Sequence, residues 1–136
     1  MTRFIRFWKD GQLAAADGPV HVSMNDYLIL GLRDVPRVAM AGLRLRRAWP
    51  ETEGTLGLWM ATTPDGRRQI SVSLWRDPAD LRRFVQSAAH RRVVRDFRDA
   101  GKLITTPWTA ERLDRRLIWH QAEDRLLGRL AGARHH

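Results

Sequence analysis

The stretch "TLGLWMATTPDGRRQISVSLW" (residues 55–75) decides the fold. Two alternating runs flank Pro64-Asp65-Gly66, where proline fixes φ and glycine tolerates a positive one. The pattern predicts a β-hairpin with strands over 55–62 and 68–75. On strand parity Trp59 goes with Thr55, Gly57 and Ala61, while Trp75 goes with Ser71 and Ser73. Leu56, Leu58 and Met60, with Ile70, Val72 and Leu74, then form an apolar face expected under the helices. The other face would combine Trp59, Trp75 and Ser73: flat walls and small residues that suit a planar apolar ligand. Tryptophans so placed suit a subunit interface equally well.

Upstream, "DYLILGL" (26–32) reads as a buried strand, and "DVPRVAMAGLRLRRAW" (34–49) as a helix. Asp34 is its expected cap, Pro36 sits in its first turn, and Pro50 stops it. Downstream, Asp77-Pro78 opens another helix, and in "LRRFVQSAAHRR" (81–92) the apolar stripe changes phase. Leu81, Phe84, Val85 and Ala88 share one side; His90, Val93, Val94 and Phe97 share nearly the opposite one. Ser87 is a good cap residue, so the pattern predicts a helix over 78–86, a kink, and a second helix over 88–100 ended by Gly101. "KLITTPWTAERL" (102–113) reads as a last strand that Pro107 confines to an edge or bulge. "DRRLIWHQAEDRLLGRL" (114–130) reads as a C-terminal helix.

The resulting order, βαββαβ, is the ferredoxin-like arrangement, an α+β fold with an antiparallel sheet and helices on one face. The domain is expected over 25–112, with residues 1–24 an unassigned N-terminal extension and 113–136 a C-terminal helix and tail. The bare sheet face needs a cover, and a second copy packed face to face would make a dimeric α/β barrel. A homodimer is therefore expected.

Composition narrows the classes. The 136 residues suit one domain, and 43% apolar with 29% charged residues is an ordinary globular balance. There is no cysteine, which excludes disulfides and thiolate chemistry. No run of about 18 apolar residues exists, so no membrane span is expected. The N-terminus "MTRFIRFWKDG" has no signal-peptide core, which makes the cytoplasm the expected location. The net charge is +9. Its arginines are scattered and no recognised nucleic-acid motif accompanies them, so nucleic acid is not the expected partner. His135 and His136 fit the stub of a purification tag.

Within this frame, "SVSLWRDPADLRRFVQSAAHRR" (71–92) resembles the antibiotic-biosynthesis-monooxygenase group of the dimeric α/β-barrel superfamily. That group shows a strand ending in tryptophan, an acidic turn, a phenylalanine, then Ser-x-x-His. Here those are Trp75, Asp77, Phe84, Ser87 and His90. The resemblance spans about residues 26–112 by element order and is sharp over 71–92. It implies cofactor-independent oxygenation of an aromatic or polyketide-type molecule, or haem degradation. Haem-degrading members carry a tryptophan three residues before the serine and a ligand histidine seven after it. Phe84 and Val94 stand there instead, which leaves His90 or His120 as the haem ligand on that alternative.

His90 is the candidate catalytic residue, since imidazole titrates near neutrality and can act as a base or an axial ligand. It can equally be a satisfied core residue near a helix start. Trp59, Trp75, Ser73, Trp108 and Asn25 are the candidate substrate-binding residues, the last near the first strand with His21. No histidine pair or carboxylate cluster has metal-site spacing, and no glycine-rich phosphate loop occurs. No metal is expected, and haem is the one cofactor kept open. A non-catalytic ligand-binding or interaction module is the third reading.

Overall fold

The hairpin forms where its turn chemistry puts it. Strands β3 (Thr55–Thr62) and β4 (Arg68–Trp75) pair antiparallel, with Gly66 at φ 76° in the connecting turn. Asp65 Oδ1 accepts from the Thr63 hydroxyl at 2.7 Å and from the Arg67 N–H at 3.0 Å. The structure, a computed structural model, describes residues 4–134, and side chains as far as residue 128. His135 and His136 lie outside the described residues.

Around the hairpin are β1 (Ile5–Asp10), β2 (Val20–Ile29), α1 (Val35–Ala48), α2 (Pro78–Val85), α3 (Ala88–Phe97), β5 (Gly101–Ala110) and α4 (Arg115–Arg134). The sheet is antiparallel in the order β1-β3-β4-β2-β5. Strands β2 to β5 with the helices between them make the expected ferredoxin-like α+β core. Pro107 lies in β5, an edge strand, as its missing N–H requires. Asp77 caps α2 by accepting from the N–H groups of Ala79 and Asp80. Ser87 Oγ accepts from the His90 N–H at 3.3 Å and starts α3, so the phase jump is a true break between two helices. Asp34 does not cap α1; its carboxylate pairs with Arg37 at 3.0 Å instead.

Three expectations need correction. First, residues 1–24 are not outside the domain: they supply β1, beside β3, and the first residues of β2.

Second, Trp59 and Trp75 lie on opposite faces. The hairpin register sets Trp59 across from Val72, and Thr55 across from Trp75, with a bulge between Thr55 and Gly57. Residues directly opposite share a face. Ile70, Val72 and Leu74 therefore join Trp59 and Ala61, while Leu58 and Met60 join Ser71, Ser73 and Trp75. Parity within each strand was legible; the loop length that joins the strands fixed which sets coincide.

Third, the sheet face away from α1–α3 is not bare. Ile118, Trp119, Ala122 and Leu126 of α4 close it, and Val20, Val22, Met24, Trp59, Val72 and Leu74 are buried beneath. The Gly57 position admits only a hydrogen, because the Trp8 ring lies where a Cβ would stand. With that face covered by the chain itself, the stacked-sheet route to a dimer loses its premise.

Candidate functional site

On the helix side, β2 and β4 present paired rows: His21 with Trp75, Ser23 with Ser73, Asn25 with Ser71, and Tyr27 with Gln69. One end is closed by aromatics. Trp49 packs on Trp75 at 5.1 Å between ring centroids, Phe84 on Trp75 at 5.4 Å, and His90 on Phe84 at 4.9 Å. At the other end the Tyr27 hydroxyl donates to the Phe97 carbonyl at 2.6 Å. Helix α3 thus runs along β2, from the His21 end at His90 to the Tyr27 end at Phe97.

Between these two anchors α3 stands off the sheet. None of its residues is buried, and Val93 and Val94, on its apolar side, remain 44% and 43% exposed. Asn25 and Ser71 below are half-buried. The apolar side of α3 is thus left largely open to solvent, and Asn25 and Ser71 share the helix-side face of the sheet. Asn25 Oδ1 accepts from the Thr105 hydroxyl at 2.8 Å, which orients its NH2 group. Ser73 is buried and donates to the Ser23 carbonyl at 3.1 Å, so its hydroxyl is already engaged.

His90 is half-buried, and its Nδ1 is buried without a hydrogen-bond partner of good geometry. Burial pushes its pKa below the ordinary 6.5, and the Val85 carbonyl facing the ring opposes this only in part. A neutral imidazole at pH 7 follows. His21 is also pushed down, first by burial and then by the Arg82 guanidinium, with Asp77 opposing.

The sequence candidates divide between the two sides. His90, Trp75, Ser73 and Asn25 share the helix side. Trp59 and Trp108 face α4, and their indole N–H groups are taken: Trp59 donates to the Arg115 carbonyl at 2.8 Å, Trp108 to Gln121 Oε1 at 2.9 Å. Arg125 stacks over Trp108 at 4.1 Å. These two tryptophans fasten α4 to the sheet. His120 is an exposed residue beside Glu123. Sequence reasoning missed Tyr27 and Ser71. Their two-residue spacing from Asn25 and Ser73 along each strand was the available signal.

On the α4 side a cavity of about 460 Å3 lies among Trp8, Gln12, Leu13, Leu56, Leu113 and Arg115. It contains no histidine. Among the described residues there is no group of three or more His, Asp or Glu side chains that could hold a metal, and no helix long and apolar enough to cross a membrane.

No family model matches the chain, and no curated protein matches it. Solved structures do. A protein from Nitrosomonas europaea assigned to the antibiotic biosynthesis monooxygenases superposes over 71% of this chain and 93% of its own, with TM-score 0.58 and 11% identity. SnoaB, a cofactor-independent oxygenase from Streptomyces nogalater, matches over 67% of this chain and 92% of its own, with TM-score 0.53 and 15% identity. LmHde, a heme-degrading enzyme from Listeria monocytogenes, matches over 76% and 68%, with TM-score 0.55 and 12% identity. The chain spans only 46% and 47% of the length of two further neighbours, both described as monooxygenases. The resemblance to the antibiotic-biosynthesis-monooxygenase group thus holds at the level of fold, with neighbours of more than one chemistry.

Proposed function

We propose that the chain is a cytoplasmic small-molecule enzyme, a cofactor-independent monooxygenase acting on an aromatic or polyketide-type substrate bound between α3 and β2. One observation carries this reading: a half-buried imidazole on α3, its pKa pushed down by burial, lies on the same side of the sheet as the Asn25 amide and the Ser71 hydroxyl. The fold shared with a cofactor-independent oxygenase supports it.

The chemistry asks little of the protein. His90 takes a proton from an activated ring methylene, leaving a carbanion delocalised onto the substrate oxygens. That anion, and not a metal or flavin, supplies the electrons that reduce O2. The net change is CH2 + O2 → C=O + H2O, and the proton on His90 leaves with the water. Asn25 and Ser71 hold the substrate oxygens, and Val93 and Val94 keep water from the ring.

The test is oxygen consumption with 1,8-dihydroxyanthrone, corrected for its spontaneous oxidation. His90→Gln should keep the fold and lose about 100-fold in rate, the usual scale of general-base removal. The wild-type rate should fall with acid only below pH 6.5, because the His90 pKa is depressed. An unchanged rate in His90→Gln removes His90 as the base. Anthraquinone binding without turnover would favour a binding module. A Soret shift on adding haem, lost in His90→Ala, would move the assignment to haem, the chemistry of the Listeria neighbour.

A further inference from the structure

The α4-side cavity lies apart from His90, and the chain itself holds its walls in place. Trp8 is seated over Gly57, where a Cβ would strike its ring, and packs on Trp59 at 5.2 Å between ring centroids. Its indole N–H donates to Asp10 Oδ1 at 2.7 Å. The loop after β1 is pinned to the start of β3. There the Gln12 N–H donates to Thr55 Oγ1 at 2.8 Å, and the Leu13 N–H to the Thr55 carbonyl at 2.9 Å. Gln12 Oε1 in turn accepts from the Gly54 N–H at 2.9 Å. At Gly11 the backbone passes so close to the Thr55 carbonyl that no side chain fits. Across the cavity, the Arg115 carbonyl is held by the Trp59 indole N–H. A hollow fixed in this way loses little freedom when it is filled.

The lining divides by depth. Leu56 is buried and Trp8, Leu13 and Leu113 are half-buried, whereas Asp10 and Arg115 are exposed, so the apolar groups lie deeper than the charged ones. The two charges are not spent on the protein. Among the described residues Arg115 makes no ion pair, and Asp10 engages only its Oδ1. Both flank one ring: Asp10 sits at the edge of Trp8, and Arg115 Cζ lies 5.8 Å from its centroid. From this we infer that the cavity binds an apolar α-amino acid. Its side chain enters among Trp8, Leu13, Leu56 and Leu113, its carboxylate meets the Arg115 guanidinium, and its ammonium meets Asp10 Oδ2. A plain apolar anion would face the Asp10 carboxylate unpaired, and a plain amine would face Arg115. Charges that flank a single ring call for a ligand whose own two charges are close together, as on an α-amino acid. The inference is independent of the oxygenase reading, since the cavity lies on the sheet face opposite His90 and its ligand is held without being transformed.

The experiment is calorimetric titration of the full chain with L-phenylalanine and two truncated analogues. Phenylalanine should bind in the millimolar range or tighter, the charged groups being exposed. Hydrocinnamate, which lacks the ammonium, and phenethylamine, which lacks the carboxylate, should each bind about tenfold more weakly, the scale of one charge-assisted hydrogen bond. Arg115→Gln should weaken phenylalanine about tenfold and leave phenethylamine unchanged. Asp10→Asn should weaken phenylalanine to the same degree without weakening hydrocinnamate. It keeps an oxygen for the Trp8 indole N–H, so circular dichroism should not change. No binding of phenylalanine at millimolar concentration, or equal affinity for the three ligands, overturns the inference. Hydrocinnamate binding more tightly than phenylalanine overturns it in favour of a site for apolar anions. Phenylalanine binding that ignores both substitutions lies elsewhere and overturns the site. If either variant fails to fold, the wild-type ranking of the three ligands still decides.

Discussion

Beneath α4, Trp59 and Trp108 give up their indole N–H groups to the chain itself, and Ile118, Trp119, Ala122 and Leu126 seal the sheet. On the opposite face of the same strands no residue of α3 is buried, and Asn25 accepts from the Thr105 hydroxyl through its Oδ1 alone among the hydrogen bonds described. The contrast separates two kinds of tryptophan-rich surface. One is consumed in holding the fold together; the other leaves polar groups unengaged beside a neutral histidine. The proposed binding residues lie on the second kind.

Substitutions on the closed face should therefore cost the most stability. Trp59→Ala or Trp119→Ala should destabilise by about 3–5 kcal/mol in chemical denaturation, whereas Val93→Ala should cost less than about 1 kcal/mol. Equal losses on both faces would erase the contrast.

Asp80 comes next. Its buried carboxylate accepts from Arg76 Nη2 at 2.9 Å and from Arg83 Nη1 at 2.9 Å, beside Gly54 at φ 82°. Burial alone would raise its pKa, but the hydrogen bonds and charges of both arginines outweigh this and hold it low. Because the folded pKa is depressed, this stabilisation is complete above the usual carboxylate range and fades as pH falls through the folded value. Asp80→Asn should lower the unfolding free energy near neutrality by about 2 kcal/mol and flatten its acid dependence. His90 has the same sign for a different reason. Folding disfavours its charged form, so its contribution is full above 6.5 and is lost as pH falls toward the lower folded value.

Smaller still, Ser87→Ala should cost about 1 kcal/mol by removing the α3 cap, and Ser87→Asp almost nothing. Trp108→Phe should cost about 1 kcal/mol through its lost bond to Gln121 and leave any oxidation rate untouched. A fall in rate at Trp108 would return that residue to the site.

The local chemistry of the turn and of two of the three expected caps was legible in the sequence; Asp34, the third, pairs with Arg37 instead. Pro64-Asp65-Gly66, Asp77-Pro78 and Ser87 act on their neighbours alone, and each does in the structure what its residue type dictates. Relations between elements were not. Which strand parity of β3 meets which parity of β4 depends on the register across the turn and on the bulge beyond Thr55. That one ambiguity placed Trp59 with Trp75. Likewise α4 was legible as a helix, but its seat on the sheet was not, so a covered face looked bare. β1 was missed because "RFIRFW" is too short and too charged to show a strand period; it becomes a strand by pairing with β3. Of the proposed site, His90 and Asn25 were candidates on their chemistry, and Tyr27 and Ser71 were passed over because only the register brings them alongside.

The most direct test is the position of a bound ligand. A crystal soaked in 1,8-dihydroxyanthraquinone, the stable quinone of the proposed reaction, should show its rings between Val93, Val94 and the sheet. Its oxygens should lie within hydrogen-bonding distance of Asn25 or Ser71, with His90 at its edge. Density instead in the α4-side cavity beside Trp8 and Arg115, with the α3 side empty, would contradict the assignment of the open face as the working one.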